Sequence, residues 1–224
     1  MVKYNDWMKI KYTAKECYKE GFLLSTVARA MYLATFADEH RVLWKYSKKH
    51  KEKINIDPTN FHTTLGLSFE AALKFFDEIY WSGMAWMSDY YCELIIDDCY
   101  WGDYTGVREM YVNRDTMREL YEHAGLRKHN SLGALIRMIP FLDPETNILC
   151  ESSFEDGEEL KPMSFTNFRK FLGYDWDKGN TLLKHLNSFM ITSETGEKIC
   201  PIQFSENNEQ IFISPLLFRA KIDD

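Results

Sequence analysis

An internal repeat limits the fold of this chain more than any other feature: one pattern occurs at residues 54–79 and again at residues 161–186. Each copy has a phenylalanine, then a Leu-Gly pair, then a short polar residue, and finally three apolar residues spaced i, i+1 and i+4. The aligned residues are Phe61 with Phe168, Leu65-Gly66 with Leu172-Gly173, Ser68 with Asp175, and Phe75, Phe76 and Ile79 with Leu182, Leu183 and Leu186. Such a repeat indicates one structural unit that the chain uses twice.

Each copy predicts a helix, a sharp turn and a second helix. Short polar side chains stand where the helices should begin, and the expected N-caps are Asp57, Ser164, Ser68 and Asp175. Pro58 follows the first of them, at the position where a helix tolerates proline. Gly66 and Gly173 are expected to end the first helix of each copy, because glycine adopts the left-handed conformation without steric strain. This order is typical of a helix-turn-helix motif.

The segments around each copy extend the pattern. Apolar segments with helical spacing precede the copies at residues 24–36 and 132–139, and β-rich segments follow at residues 84–96 and 189–214. Thr195-Gly196 and Asn207-Asn208 are expected at turns of the second β-rich segment. A helix, a helix-turn-helix and a β-hairpin in this order make a winged helix. The sequence therefore predicts a mainly α fold with small β-wings (α+β), containing tandem winged helix-turn-helix domains.

The same elements predict the domain boundaries. Residues 1–19 form a basic N-terminal extension, residues 20–105 the first winged-helix domain and residues 130–224 the second, each with a core of its own. Residues 106–129 connect them through an amphipathic helix over residues 113–123 that ends at Gly125.

Several segments resemble MarR-like winged-helix proteins of phages and plasmids of Gram-positive bacteria, which are similar in fold to plasmid replication initiators with two winged helices. The resemblance lies in residues 21–25 (GFLLS), 32–38 (YLATFAD), 116–121 (TMRELY), 132–140 (LGALIRMIP), 147–150 (NILC) and 211–215 (IFISP). It covers nearly the whole chain. It implies a DNA-binding transcriptional regulator or a replication initiator, but such a fold also serves protein contacts.

Charge is distributed unevenly along the chain, whose formal net charge is −7. Residues 1–53 carry 12 Lys and Arg against 6 Asp and Glu, so the remaining 171 residues carry 15 against 28. A chain that bound nucleic acid over its whole surface would be more basic. The sequence has no long apolar run and no apolar leader at its start, so we expect no membrane association and a place in the cytoplasm. The resemblance implies that this is the cytoplasm of a bacterial host.

No catalytic or cofactor motif is recognisable, so we expect a protein that is not an enzyme and needs no cofactor. Phosphate-binding loops, dinucleotide fingerprints, nucleophile elbows and paired zinc-binding histidines are absent from the sequence. The five cysteines are odd in number and contain no C-x-x-C pair, which argues against a zinc site and a disulfide framework. Asp97 and Asp98 with Glu93 are better interpreted as a solvated strand end than as a metal site.

The second helix of the second copy carries the strongest candidates for DNA contacts. Such helices normally enter the major groove with their N-terminal half. The exposed positions expected there are Lys178, Asn180, Thr181, Lys184 and His185, which offer cations, an amide and a hydroxyl to bases and phosphates. Supporting phosphate contacts could come from Arg169, Lys170 and Lys198. The alternative is an ordinary solvated helix face.

The first copy is a weaker candidate. Lys74 lies on its second helix, but Glu70 near the start of that helix would repel phosphate. A phosphate clamp could instead come from a basic cluster that we expect in the loop before the motif, comprising Lys45, Lys48, Lys49, Lys51 and Lys53. A solvated charge run is an equally good interpretation of this cluster.

Residues 80–104 are dense in aromatic and acidic side chains. Stacking on single-stranded bases normally requires a basic groove, so a core with an apolar interaction surface is the better interpretation. Two functional classes remain: a sequence-specific double-stranded DNA-binding protein, and a winged-helix protein that binds a protein partner such as a host factor.

Overall fold

The computed structural model describes residues 7–11, 23–47, 52–57, 59–88, 93–96, 109–152 and 160–219. The helices in these ranges are α1 (Leu24–Ala34), α2 (Phe61–Leu65), α3 (Phe69–Trp81), α4 (Arg114–Ala124), α5 (His129–Arg137), α6 (Phe165–Phe171) and α7 (Trp176–Leu186). The strands are β1 (Trp7–Lys11), β2 (Trp44–Ser47), β3 (Glu52–Asn55), β4 (Ala85–Met87), β5 (Leu94–Ile96), β6 (Glu109–Asn113), β7 (Ile191–Thr192), β8 (Lys198–Ile199), β9 (Ile202–Phe204), β10 (Ile211–Ile213) and β11 (Phe218–Arg219). Helices and short antiparallel strand pairs make an α+β protein.

Both copies of the repeat fold as a helix, a sharp turn and a helix, as predicted. Gly66 ends α2 with a φ of 67°. Gly173 ends the turn after α6 with a φ of 66°. The side chain of Ser68 accepts a hydrogen bond from the Ala71 N–H, and Asp175 accepts one from the Lys178 N–H. These local bonds confirm Ser68 and Asp175 as N-caps. Ser164 caps α6 in the same way, by accepting from the Asn167 N–H.

The prediction for Asp57 is wrong in position. Helix α2 begins only at Phe61, and its N-cap is Asn60, whose side chain makes no capping bond. The Asp57 carboxylate instead accepts hydrogen bonds from Thr59 and from the Asn60 N–H, at 2.8 and 3.2 Å. Asp57 thus closes a turn ahead of the helix. Pro58 lies outside the described residues.

The apolar stripes of the repeat form much of the core. In α3 Phe75 and Ile79 are buried, and in α7 Leu182 and Leu186 are. The middle residue of each stripe is only half-buried, which applies to Phe76 and Leu183. All three apolar positions of each stripe thus pack on the core, the middle one at its edge, and Leu183 also lines a surface cleft.

Short hairpins follow both copies. Strands β4 and β5 pair antiparallel after α3, and Val42 bridges Ile95 beside them. After α7, β7 pairs with β8 and β9 pairs with β10. The predicted turns are confirmed, since Gly196 and Asn208 both have positive φ, of 85° and 55°.

The sequence predicts a loop for the basic cluster, and this prediction is wrong for the described part of it, because β2 and β3 form a hairpin there. The cluster comprises Lys45, Lys48, Lys49, Lys51 and Lys53. Lys45 pairs with Ile54, and Tyr46 pairs with Lys53. Lys48, Lys49 and Lys51 lie outside the described residues. The residues of β2, Trp44–Ser47, do alternate apolar and polar side chains, but β3 has one apolar residue, Ile54, so the lysine-rich sequence favoured a loop over a pair of strands.

A three-stranded antiparallel sheet joins distant parts of the chain. Its order is β1, β6, β11, with Val112 of β6 opposite both Met8 and Phe218. Part of the predicted N-terminal extension is thus a strand. Strand β6 leads directly into α4, the predicted connecting helix, whose N-cap Asn113 accepts from the Thr116 N–H at 2.8 Å.

Helix α4 is fixed to the end of α1 by two arginines. Arg114 donates to the carbonyl oxygens of Thr35 and Ala37, at 2.9 and 2.6 Å, and Arg118 donates to the Thr35 hydroxyl. These cations lie where the α1 dipole is negative and where its last carbonyls need donors.

The two copies meet through their leading helices, α1 and α5, which pack against each other. Gly133 allows the close approach, because a Cβ there would overlap the Leu24 backbone. Buried side chains of both copies belong to one continuous cluster. The two predicted domains therefore share a core instead of having separate ones, while the boundaries themselves stay a prediction. No helix in the described ranges is both long and apolar enough to cross a membrane.

Candidate nucleic-acid interface

The outer face of α7 brings together four of the predicted contact residues. Asp175 fixes where the helix begins, and Leu182 with Leu186 buries its inner face. The side chains left exposed include Lys178, Asn180, Thr181 and Lys184. Neither lysine forms an ion pair with any residue that the structure describes.

His185 does not belong to that outer face. Its Nδ1 lies 2.9 Å from the Ser131 hydroxyl, so the ring faces α5. Burial lowers the pKa of His185 below its ordinary value, and the nearby charges of Lys128 and Lys184 lower it further. The imidazole is therefore neutral at pH 7 and serves packing between α5 and α7.

Arg169 is held inside the motif. Its guanidinium lies 5.3 Å from the centre of the Trp176 ring and donates to the Tyr174 carbonyl at 3.3 Å. Its side chain also covers Gly179, where a Cβ would lie 2.9 Å from the Arg169 Cγ and closer still to its Cδ. Arg169 thus holds α6 against α7, while Lys170 beside it is exposed.

Lys198 is bound to the connecting helix. Its ammonium donates to the Glu119 carboxylate and, at 2.8 Å, to the Thr192 hydroxyl. Glu119 also accepts from the Thr192 N–H and hydroxyl, at 3.0 and 2.6 Å. Burial raises the pKa of Glu119, but the hydrogen bonds from Lys198 and Thr192 outweigh it and lower the pKa below its ordinary value. These contacts tie the β7–β8 hairpin to α4.

The equivalent face of α3 has a different chemistry. Lys74 forms an exposed ion pair with Glu70 at 3.1 Å, so this part of the helix presents little net charge to a phosphate. An apolar stripe, which we call the α3 stripe, runs along the helix and comprises Phe69, Leu73, Phe76 and Tyr80. Three of these side chains are 39% to 53% exposed, and Trp81 beside them is 82% exposed.

The basic hairpin contributes Lys45 and Lys53, which are exposed on adjacent strands. In the aromatic segment 80–104, Trp86 is half-buried. The guanidinium carbon of Arg41 lies 5.2 Å from the centre of the Trp86 ring. Tyr90, Tyr91, Tyr100, Trp101 and Tyr104 lie outside the described residues, as do Asp97 and Asp98. Among the described residues no cluster of three or more His, Cys, Asp or Glu could hold a metal ion.

A cleft beside α7 was not predicted from the sequence. It has a volume of about 370 Å³ and lies between the start of α6, the first half of α7 and the turn joining β9 to β10. Its lining includes Phe165, Arg169, Trp176, Asn180, Leu183 and the turn residues Asn207 to Glu209. The one signal in the sequence is a tryptophan at the start of a polar helix, where an apolar ring has no core to face.

Comparison with known proteins identifies no relative. No protein-family model, no curated protein and no solved structure matches the chain. The MarR-like resemblance therefore stays a hypothesis based on the segments quoted above.

Proposed function

We propose that the protein binds double-stranded DNA sequence-specifically, with α7 in the major groove. The observation that carries this proposal is the outer face of α7, where Lys178, Asn180, Thr181 and Lys184 are all exposed on the second helix of a helix-turn-helix. An asparagine can bond adenine through two atoms at once, and lysine can donate to guanine or to phosphate. No catalytic role is part of this proposal.

The proposal assigns unequal roles to the two copies. The ion-paired Lys74 and the apolar α3 stripe suit the major groove poorly, so α3 is not the main reader. Lys45 and Lys53 would add phosphate contacts that carry no sequence information. Two unequal motifs in one chain favour a non-palindromic target, because a palindrome reflects two identical motifs. In winged-helix terms, α7 is the recognition helix and the following hairpins are the wing.

The resemblance supports a biological role. A MarR-like protein of a phage or plasmid would act as a transcriptional regulator or a replication initiator. The net charge of −7 does not oppose this role, since phosphates respond to the local field of α7 and the basic hairpin over about 10 Å at ordinary salt.

Replacing Lys178 and Lys184 with alanine together should weaken binding to duplexes selected from a random library. Each lost contact between a lysine and a phosphate reduces the steepness of log affinity against log salt concentration by about 0.9. The loss of both contacts should therefore reduce it by about 1.8. Fluorescence anisotropy across a salt series measures the slope. The thermal midpoint should hardly change, because exposed lysines contribute little to folding.

The matched control is the double arginine variant, Lys178→Arg with Lys184→Arg, which keeps both charges and should keep the salt slope. Full-length chains are needed throughout, since the two halves share one core. If the double alanine variant binds every selected duplex as tightly as the parent at each salt concentration, α7 is not the reader.

A second candidate function, binding of a protein partner, is favoured by the α3 stripe. Its exposed side chains Phe69, Leu73 and Tyr80 have aromatic and apolar character typical of interface cores. Asp77 on the same helix is exposed and forms no ion pair with any residue that the structure describes, which favours a partner with a basic rim.

The variant Leu73→Glu should abolish capture of a host protein by the full chain, since a carboxylate in an apolar interface loses its water without gaining a partner. Affinity for the selected duplex should stay unchanged. Thr63→Glu, on the exposed face of α2, is the matched control. If the Leu73→Glu chain captures the same host proteins as the Thr63→Glu chain and the parent, the α3 stripe is not an interface.

A further inference from the structure

We propose that the cleft beside α7 binds an adenine base. Its volume of about 370 Å³ lies at the lower end of the range for small-ligand sites. The cleft has an apolar part and a polar part in its lining. Phe165 and Leu183 provide an apolar floor, and three asparagines with one glutamate provide a polar rim. A flat aromatic ligand with polar edges fits this combination.

Trp176 supplies a stacking surface at the mouth of the cleft. The Arg169 guanidinium lies 5.3 Å from the centre of its ring, yet the residue remains 66% exposed. Every nucleobase has a flat π-face that stacks on an exposed indole. The contact with Arg169 leaves most of the Trp176 side chain open to solvent, so a flat ligand can stack on it.

The polar rim and Trp176 together favour adenine among the bases. The side-chain amides of Asn180, Asn207 and Asn208 make no hydrogen bond to any other described residue. An amide donates and accepts at once, which matches the adjacent amino group and ring nitrogen that adenine and cytosine share, and the two-ring purine offers the Trp176 indole the larger stacking face. Glu209 only accepts, so it suits an amino group. Guanine calls for a free arginine or lysine, whereas Arg169 is already held by Trp176 and Tyr174.

The walls of the cleft are fixed before any ligand arrives. The Phe165 N–H donates to the Asn208 carbonyl at 2.9 Å, which ties α6 to the β9–β10 turn. The Phe165 and Phe204 rings meet edge to face at 5.7 Å. The Ser205 hydroxyl accepts from the backbone of Glu209 and Gln210 and stabilises the turn. Such preorganisation lowers the entropy that binding must overcome.

The adenine could belong to a free nucleotide or to an unpaired position in a nucleic acid strand. The free nucleotide and the unpaired nucleotide present the same adenine ring to the cleft. In a paired duplex the bases are stacked on one another, so their faces are not open to Trp176. The proposal therefore goes beyond duplex binding by α7 and does not depend on it.

Titration calorimetry of the full chain with adenosine monophosphate tests the first source, with cytidine monophosphate as the comparison ligand. Single-stranded oligo-dA, oligo-dT and a duplex with one unpaired adenine test the second. Trp176→Ala should weaken adenine binding roughly 5- to 150-fold, the range for loss of one base–aromatic stack. Trp176→Phe should keep most of the affinity, and Asn207→Ala should reduce the preference for adenine.

Trp81→Ala is the matched control, because Trp81 is an exposed tryptophan on the equivalent helix of the other copy and lies outside the cleft. Adenine binding that falls in Trp176→Ala and not in Trp81→Ala supports the proposal. The ligand that binds identifies the source: the free nucleotide, or only a strand with an unpaired adenine.

Equal binding of adenine and cytosine ligands, equal loss in both tryptophan variants, or no binding of adenine in any form would overturn the proposal. Failure here is separable from failure of duplex binding. The Lys178→Ala and Lys184→Ala variant should bind the selected duplex less tightly and adenosine monophosphate as tightly as the parent, because neither lysine lines the cleft.

Discussion

Gly133→Ala is expected to lower the free energy of unfolding by about 3 kcal/mol, the upper part of the usual range for overpacking a core. A Cβ at this position would lie 3.0 Å from the Leu24 Cα and nearer still to its carbonyl carbon and oxygen. These are backbone atoms that cannot rotate away, so α5 would have to move off α1. Alanine gains about 1 kcal/mol of helix propensity over glycine, which is too little to offset the clash. Urea unfolding measures the difference.

Gly179→Ala is the matched control, since Gly179 also lies in a buried position of a helix. There the atoms nearest to the new Cβ belong to the Arg169 side chain, which can rotate away by giving up its contacts with Trp176 and Tyr174, whereas a backbone cannot. We expect a change in stability of under about 1 kcal/mol, with helix propensity compensating for the displaced side chain. If Gly133→Ala were as stable as the parent, α1 and α5 could not approach as closely as described, and the shared core would need another explanation.

The local parts of this fold could be predicted from the sequence because their causes are local. An N-cap acts on an N–H three residues away, and both Ser68 and Asp175 do so as expected. Gly66 caps α2 and Gly173 completes the turn after α6, both with positive φ, because no other residue reaches that conformation as easily. The spacing of Phe75 and Ile79 fixes their burial in the same way, through the helical period.

The parts that escaped prediction depend on contacts between distant residues. No local sequence signal near Trp7 predicts a strand that pairs with β6. The sequence of β6 itself shows little alternation of polar and apolar residues, and a helix follows it directly. Lys198 looked like a free cation of the second hairpin, but its partner Glu119 is 79 residues away in the chain. His185 looked like a contact residue, but the direction of its ring depends on where α5 lies.

A stack of buried rings joins the leading and connecting helices. The Tyr32 ring lies parallel to the Tyr121 ring at 3.9 Å, and Tyr121 in turn stacks on His129 at 4.1 Å. The Tyr121 hydroxyl donates to the Leu65 carbonyl, which ties the stack to the first copy. His129 is 2% exposed at the start of α5. Burial, and secondarily the charge of Arg29, lowers the pKa of His129 to about 4.

The stack makes stability depend on pH. Above pH 6.5, the ordinary pKa of histidine, His129 is neutral in both the folded and the unfolded chain and has no effect on the slope. Between pH 6.5 and about 4 the unfolded chain takes up a proton that the folded chain does not, so the free energy of unfolding falls as pH falls. Below about pH 4 both states are protonated and this contribution levels off. The total loss should reach about 3 kcal/mol at most.

His129→Phe should remove this decline, because phenylalanine can stack on Tyr121 and cannot be protonated. Urea unfolding at half-unit steps from pH 4 to 7.5 would show a flatter stability curve for the variant, with the difference from the parent confined to the range below pH 6.5. The matched control is His40→Phe, which replaces an exposed histidine outside the stack by the same residue. Every other titrating group is common to the His129→Phe chain and the parent, so the difference between their curves isolates His129. If the His129→Phe and parent curves run parallel across this range, the imidazole is protonated as easily in the folded chain as in the unfolded one, and the stack is open to water.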